Sequence, residues 1–439
     1  MAVCLGPDRD GLGANVVGQP LRAPDIAAYA VGSIGTGVFS SVPTVLLLYY
    51  CTETLNIPAA LATLAVFVPK VWAILWDPIV GAWSDRARSP FGRRRPFLVI
   101  GAIGVFCAFV TLFSTPLLPV QGAFLWVASS YFALATLYSV FAVPYVSLPA
   151  VLGPSPASRA TLVSARITLA TLGVLAGAAI APVLVERFGG GRPGYGVMAW
   201  ILASVCAVAM LGPIAILRGR DDDTPTSDDT SFLRRLTAAL GERRLRMLGA
   251  SYILQIAASG AFSATVPYLV TRVAGRPEGE IGTVLGLMFS TAIAATPLWS
   301  WLGRRAGEVR VNAAALVTYA VVLACIGIAC MARAPWPVLL ALFAAAGAPF
   351  AATQVLPFAI QANIAHRASR HAGRSLEGAF AGAWTAAEKL GLALGPLLTG
   401  LALAVIGEDV ATGASAFVAL VPPVLLFASL APLAAVDSK

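Results

Sequence analysis

The chain has 439 residues, of which 58% are hydrophobic and only 12% charged, with a formal net charge of +9 and a mean hydropathy of +0.81. No single water-soluble core encloses that much apolar material, so a soluble globular protein is excluded and lipid must be the main solvent. In that setting the positive balance reads as a membrane topology signal, and nucleic acid is not an expected partner.

Each crossing needs about 20 apolar residues. Taken in chain order, runs of that kind fall near 26–50, 58–83, 97–115, 122–149, 159–186, 195–217, 247–271, 281–302, 311–332, 336–364, 375–404 and 411–434. They predict an all-α membrane protein with twelve transmembrane helices in two pseudo-symmetric six-helix bundles. Residues 1–25 form an N-terminal tail that holds Asp8, Asp10 and Asp25 and no apolar block of signal-peptide length, so the first span is expected to direct insertion. Cys4, Cys51, Cys107, Cys206, Cys325 and Cys330 are scattered without metal spacing and read as small apolar residues.

Orientation follows from the basic residues, which are retained on the cytoplasmic side during insertion. With the N-terminus inside, both tails and the loops after every second span hold 22 of the 30 Lys and Arg, against Arg187, Arg192, Arg272, Arg276 and Arg333 on the other side. Both termini are therefore predicted to be cytoplasmic, in a multi-pass protein of a bacterial inner membrane. The longest polar stretch, 218–246, contains an acidic, Ser/Thr-rich run and reads as a cytoplasmic linker between bundles at 26–217 and 247–434, with a short tail at 435–439. Short echoes support a repeat: Pro78 with Pro297, and Val143-Pro144-Tyr145 with Leu356-Pro357-Phe358. Twelve spans, a mid-chain linker and a repeat suggest a transporter with its substrate site at the midplane.

Five charges remain at membrane depth: Lys70, Asp77, Arg166, Glu388 and Lys389. Each costs about 3 kcal/mol at a helix centre on insertion scales, so such residues face a cavity or one another. Lys70 and Asp77 are seven residues apart and share a helix face. Arg166 and Lys389 lie on corresponding helices of the two halves and are expected to line one cavity from opposite walls. Glu388 and Lys389 point about 100° apart, which favours separate roles over mutual pairing. Asp85, beside Arg86, Arg88, Arg93, Arg94 and Arg95, reads as part of a gate at the cytoplasmic side. No catalytic cluster, nucleophile elbow or phosphate loop is evident, since the Gly189–Gly194 run lacks the lysine of a phosphate loop. Neither an enzyme nor a bound cofactor or metal is expected.

The stretch DPIVGAWSDRARSPFGRRRP, Asp77 to Pro96, resembles the loop after the second helix in the glycoside-pentoside-hexuronide:cation symporters of the major facilitator superfamily, the melibiose-carrier family. Its ending, Gly92 to Phe97, is also similar to the corresponding loop of plant sucrose:proton symporters. The resemblance continues in Tyr49-Tyr50 to Glu53, in Val143 to Pro149, in Arg166, and from Leu356 through Gly373–Gly378 to Lys389. It implies that Asp77 occupies an acidic cation or sugar position, that Arg166 lies near the sugar, and that Lys389 lies near cation and sugar. Trp384 could stack on a sugar ring, although a core or lipid-facing tryptophan is the commoner case.

Departures from the family pattern narrow the coupling ion. Ala73 and Ala142 stand where sodium-coupled members carry aspartates, and sodium needs several hard oxygen ligands, so the pattern argues against a sodium cage. Thr36 and Gly37 replace a Lys-Asp pair, and Asn363 and His366 replace late acidic positions; His366 and His371 read as solvated loop residues. The expectation is a symporter moving a sugar, glycoside or similar small molecule by alternating access, coupled to protons, in a fold that can act as a monomer. Lysolipid carriers share this architecture, and the net-basic set Lys70, Arg166 and Lys389 would also tolerate an anionic solute. A non-transporting sensor is the remaining alternative.

Overall fold

The computed structural model describes residues 22–153, 155–217, 241–372, 377–406 and 410–437. Most of the expected linker, 218–240, lies outside these residues. Twelve helices are long and apolar enough to cross a membrane. In the first half they are α1 (Ala23–Val42), α2 (Ala59–Arg86), α3 (Arg95–Phe113), α4 (Val120–Leu152), α5 (Pro156–Arg187) and α6 (Gly191–Ile216). In the second half they are α7 (Arg243–Tyr268), α8 (Gly279–Ala306), α9 (Glu308–Met331), α10 (Trp336–Ala372), α11 (Glu377–Ile406) and α12 (Val410–Asp437).

Two boundaries differ from the sequence reading. The seventh helix begins at Arg243, inside the expected linker, because the arginines Arg243, Arg244 and Arg246 belong to its first turns. The tenth runs to Ala372, so His366 is an exposed residue on a helix instead of a loop residue. Helices of this length, 37 residues or roughly 55 Å, extend well beyond an apolar layer of about 30 Å.

The first helix of each half ends in the same way. Pro43 opens a wide π turn at Pro43–Leu47, followed by another at Tyr50–Thr54, and Pro267 precedes the π turn Leu269–Val273 after α7. A proline lacks the N–H that would continue the ladder, so the carbonyls before it are re-paired in a wider turn. The packing repeats as well. In the first half α1 packs on α5 and α6, α2 on α4, and α3 on α4 and α6; in the second, α7 packs on α11 and α12, α8 on α10, and α9 on α10 and α12. Every partner is shifted by six helices. Pro78 and Pro297 fall inside α2 and α8, and Pro144 and Pro357 inside α4 and α10, which places the sequence echoes on corresponding helices.

Lipid supplies no hydrophobic force between helices, so close approach depends on small residues. Gly37 on α1 is the clearest case, since a Cβ there would sit 2.6 Å from the Val174 backbone nitrogen and 2.9 Å from the Gly173 carbonyl carbon on α5. The two halves meet along α2 with α11 and α5 with α8. An even number of crossings brings the first residues of α1 and the last of α12 to one end of the molecule, together with the Arg86–Arg95 turn. That end is called the basic end below, and the other the far end.

Candidate functional site

At the middle of the α2–α11 seam the buried charges gather. Pro69 and Pro78 interrupt α2 on either side of Lys70 and Asp77, removing the hydrogen bonds that would reach back one turn and loosening the helix where it carries its charges. Lys389 of α11 donates to Asp77 Oδ2, so the ion pair crosses from one half to the other. Both side chains are mostly enclosed, at 25% and 21% exposure. Lys70 does not pair with Asp77 although they share a helix face. Its Nζ donates to the Leu392 carbonyl of α11 at 3.0 Å and approaches Thr44 Oγ1 at 3.4 Å. Two cross-half contacts therefore run along the same pair of helices.

Lys70 and Lys389 face a cavity of about 110 Å³, lined also by Phe39, Ser40, Thr44, Ala73, Tyr131 and Tyr138. The expectation that Arg166 and Lys389 form its opposite walls is corrected here: the second cation is Lys70 on α2, and Arg166 is not among the lining residues. Arg166 sits one layer away on α5, within electrostatic reach of Tyr138, Tyr29, Tyr145 and Glu388. Glu388 lies within electrostatic reach of both Lys389 and Arg166. Trp384 stacks on Tyr252 at 4.1 Å, with an interplanar angle of 16°, and meets Phe358 edge-on at 5.5 Å. One of its ring faces is thus occupied by protein, as in core packing.

Several buried polar atoms around this site have no protein partner among the described residues: Asp77 Oδ1, Trp76 Nε1, Arg166 Nε, Tyr252 Oη and Trp384 Nε1. An unpaired buried group costs about 1–3 kcal/mol unless something solvates it. Native proteins keep few of them, and such a concentration on α2, α5, α7 and α11 marks a place where a polar solute or water completes the bonding.

Asp85 pairs with Arg93 at 3.4 Å and Arg94 at 3.6 Å, both of its own half, and so braces the turn from α2 to α3. Arg86 and Arg88 are exposed. Among the described residues, further contacts join the halves at the far end. There Arg272 pairs with Glu53, Thr52 Oγ1 bonds to the Tyr268 hydroxyl at 2.7 Å, Tyr49 meets Tyr268 edge-on at 5.2 Å, and Glu186 accepts from the Gly279 N–H. Sequence alone marks Arg272 only as a loop charge and Glu53 only as part of a motif, and it does not single out Glu186 or Gly279. No local signal marks such partners, because each bond joins residues more than 90 positions apart.

The chain matches the family model described as MFS/sugar transport protein over residues 28–435. Among curated proteins it is 28% identical to the inner membrane symporter YicJ of Escherichia coli K12 over 64% of this chain, and 27% identical to the putative glycoside/cation symporter YagG of the same organism over 62%. These alignments take in 62% and 61% of the relatives' own lengths, a little under two thirds. The fold is similar to the crystal structure of a bacterial homologue of the human lysosomal transporter Spinster in an inward-facing and occupied conformation, with a TM-score of 0.69 at 14% identity over 95% of this chain and 96% of that one. With its twelve crossings, its repeated halves and the near-complete match of the family model, the chain belongs to the MFS/sugar transport protein family.

Proposed function

We propose that the protein is a secondary transporter that carries a sugar, a glycoside or a similar small organic solute by alternating access, coupled to protons. The observation that carries this reading is the midplane cluster itself. An ion pair and an additional ammonium sit between the two halves, with unpaired buried polar atoms on the surrounding helices of both, where a hydroxyl-rich solute would find bonding partners. The similar proteins named as a glycoside/cation symporter and an inner membrane symporter support the same class of solute and the presence of a coupling cation.

Proton coupling is favoured over sodium by the residues at hand. Ala73 lines the cavity and Ala142 stands on α4, so the carboxylates needed for a hard-cation cage are missing at both positions. A single carboxylate such as Asp77, exchanging between Lys389 and a proton as the halves separate, is enough for a proton cycle. The basic end is assigned to the cytoplasm of a bacterial inner membrane, by the distribution of arginines.

The test is uptake and counterflow in proteoliposomes against glycosides, uronides and lysolipids, with imposed pH or sodium gradients. Glycoside accumulation driven by a pH gradient, abolished in Asp77→Asn while some exchange remains at a reduced rate, is the expected result. Accumulation driven by sodium alone would refute proton coupling, and binding without flux would make the protein a sensor. One observation favours a second reading for the solute's charge: among the described residues Lys70 contacts only neutral oxygens, so an anionic solute would supply a counter-ion. Preference for uronides over neutral glycosides would establish it.

A further inference from the structure

The far-end seam contains three glutamates and one arginine that pairs with the first of them. Glu53 lies in the π turn at the end of the first span, Glu186 near the end of α5, and Glu278 immediately before α8. Arg272 is committed to Glu53, through Nε at 2.7 Å and through Nη2. Glu186 is exposed and caps α8 from across the seam, where the first N–H groups of the helix lack partners and the helix dipole favours an anion. Glu278 differs from both. It is half-buried, the Tyr49 side chain lies near its carboxylate, and its Oε2 is enclosed without any partner among the described residues.

Among the described residues no cation is committed to Glu278. From the end of the first span it is faced by Tyr49 and Glu53, from α5 by Glu186, and from α6 by the buried Tyr195. Tyr268 and Arg272, at and just beyond the end of α7, complete the wall, held by Thr52 and Glu53 respectively. On its own segment, Arg276 lies over the Trp336 ring at 5.2 Å and Glu280 adds another negative charge. Four of these neighbours, Tyr49, Glu53, Glu186 and Tyr195, sit on the opposite half, and two of them are carboxylates that approach Glu278 because the seam is closed.

We infer that Glu278 is a proton-binding site of the far-end seam, taking up a proton as the two halves close there and releasing it as they part. Closure buries one carboxylate oxygen against tyrosine rings and brings two carboxylates of the other half close to it, and both changes disfavour the charged form. Burial, followed by the charges of Glu186 and Glu53, accordingly holds the closed-state carboxyl above the usual glutamate range, with Tyr49 opposing in part. A group that holds its proton more tightly in the closed form stabilises that form at low pH, and the stabilisation is lost as pH rises through the closed-state value. Acid therefore closes the seam, and alkali opens it. For the transport cycle proposed above, on which the consequence rests, the proton taken up on closure returns to the same side on opening, so Glu278 sets how readily the far end closes over a bound solute and does not itself carry the proton across. This site is separate from Asp77 at the midplane.

The experiment reads the seam directly. Spin labels at Leu118→Cys and Val405→Cys, both 88% exposed and on opposite halves at the far end, report the distance between halves in nanodiscs once the native cysteines are replaced. As pH rises from the usual glutamate range through the closed-state value, the ratio of closed to open molecules should fall, by up to about tenfold per unit for one linked proton, and then level off. Glu278→Gln should remain closed across the range and lose the dependence. Glu186→Gln should lower the closed fraction throughout yet keep the dependence. A wild-type distance indifferent to pH, or a Glu278→Gln protein that keeps the wild-type profile, would overturn the inference. If Glu278→Gln does not fold, Glu278→Asp serves: a shifted profile supports the site and an identical one opposes it. The transport reading fails separately. A pH-dependent seam in a protein whose uptake ignores a pH gradient would remove proton coupling and leave Glu278 as a seam titrator.

Discussion

Removing one charge of the Asp77–Lys389 pair should cost far more than removing both. The two side chains are 21% and 25% exposed, so water screens them partly, and the pair lies at membrane depth where a lone charge is expensive. Breaking a fully buried pair costs about 3–5 kcal/mol; with this exposure we take about 2–3 kcal/mol, which is roughly 30- to 150-fold in an equilibrium constant. Because the pair joins α2 to α11, the cost falls on the arrangement of the halves described here. Asp77→Asn leaves the Lys389 ammonium uncompensated, and Lys389→Gln leaves the carboxylate. In the double variant neither charge remains, and exchange should recover to within about tenfold of the wild type because the single effects are not additive for contacting residues. Counterflow in proteoliposomes measures exchange for all four proteins, and thermal unfolding in detergent separates loss of fold from loss of function. Single-variant effects that simply add in the double variant would refute the claim that the two residues act as a pair. Accumulation against a gradient should stay abolished in the double variant, since the carboxylate proposed to carry the proton is gone.

Other outcomes follow from neighbouring contacts. Tyr268→Phe removes the 2.7 Å bond to Thr52 and should weaken the far-end seam by about 0.5–1.5 kcal/mol, visible as a roughly two- to tenfold larger open fraction by the same spin-label distance. Lys70→Met deletes the ammonium that reaches the Leu392 carbonyl; affinity for an anionic sugar should fall by about 1.5–3 kcal/mol, tenfold or more, with a smaller change for the neutral glycoside in competition assays. Gly37→Val would drive a side chain into the α5 backbone and should cost about 1–3 kcal/mol or more, lowering the thermal midpoint of the purified protein, whereas Thr36→Val beside it should be milder.

Much of the architecture is legible without coordinates because a membrane protein writes its topology into composition. An apolar run of about twenty residues, recurring twelve times, matches the thickness of a bilayer and little else, and the arginines in the turns between the runs select a side of the membrane. Helix ends are less legible: Arg243 and His366 are charged or polar yet helical, since a helix can continue into the interface where its side chains meet water. The site is legible in kind but not in its pairing. Lys70, Asp77, Glu388 and Lys389 stand out as costly charges, and a seven-residue spacing suggests that Lys70 and Asp77 belong together.

Which charge meets which was decided by the packing of α2 against α11. That contact sets Lys389 against Asp77 and turns Lys70 toward a backbone carbonyl 322 residues away, an acceptor every residue possesses and no sequence pattern can flag. The same holds for the cavity, where Ser40, Thr44, Tyr131 and Tyr138 are ordinary residues until helices from both halves enclose them. Amino-acid order alone determined the number of crossings, the repeat and the inventory of buried charges, because each follows from solvation of one segment at a time. Partnership across the halves, from Asp77 with Lys389 to Glu186 capping α8, was settled only by tertiary structure, because it depends on distances between segments that solvate independently.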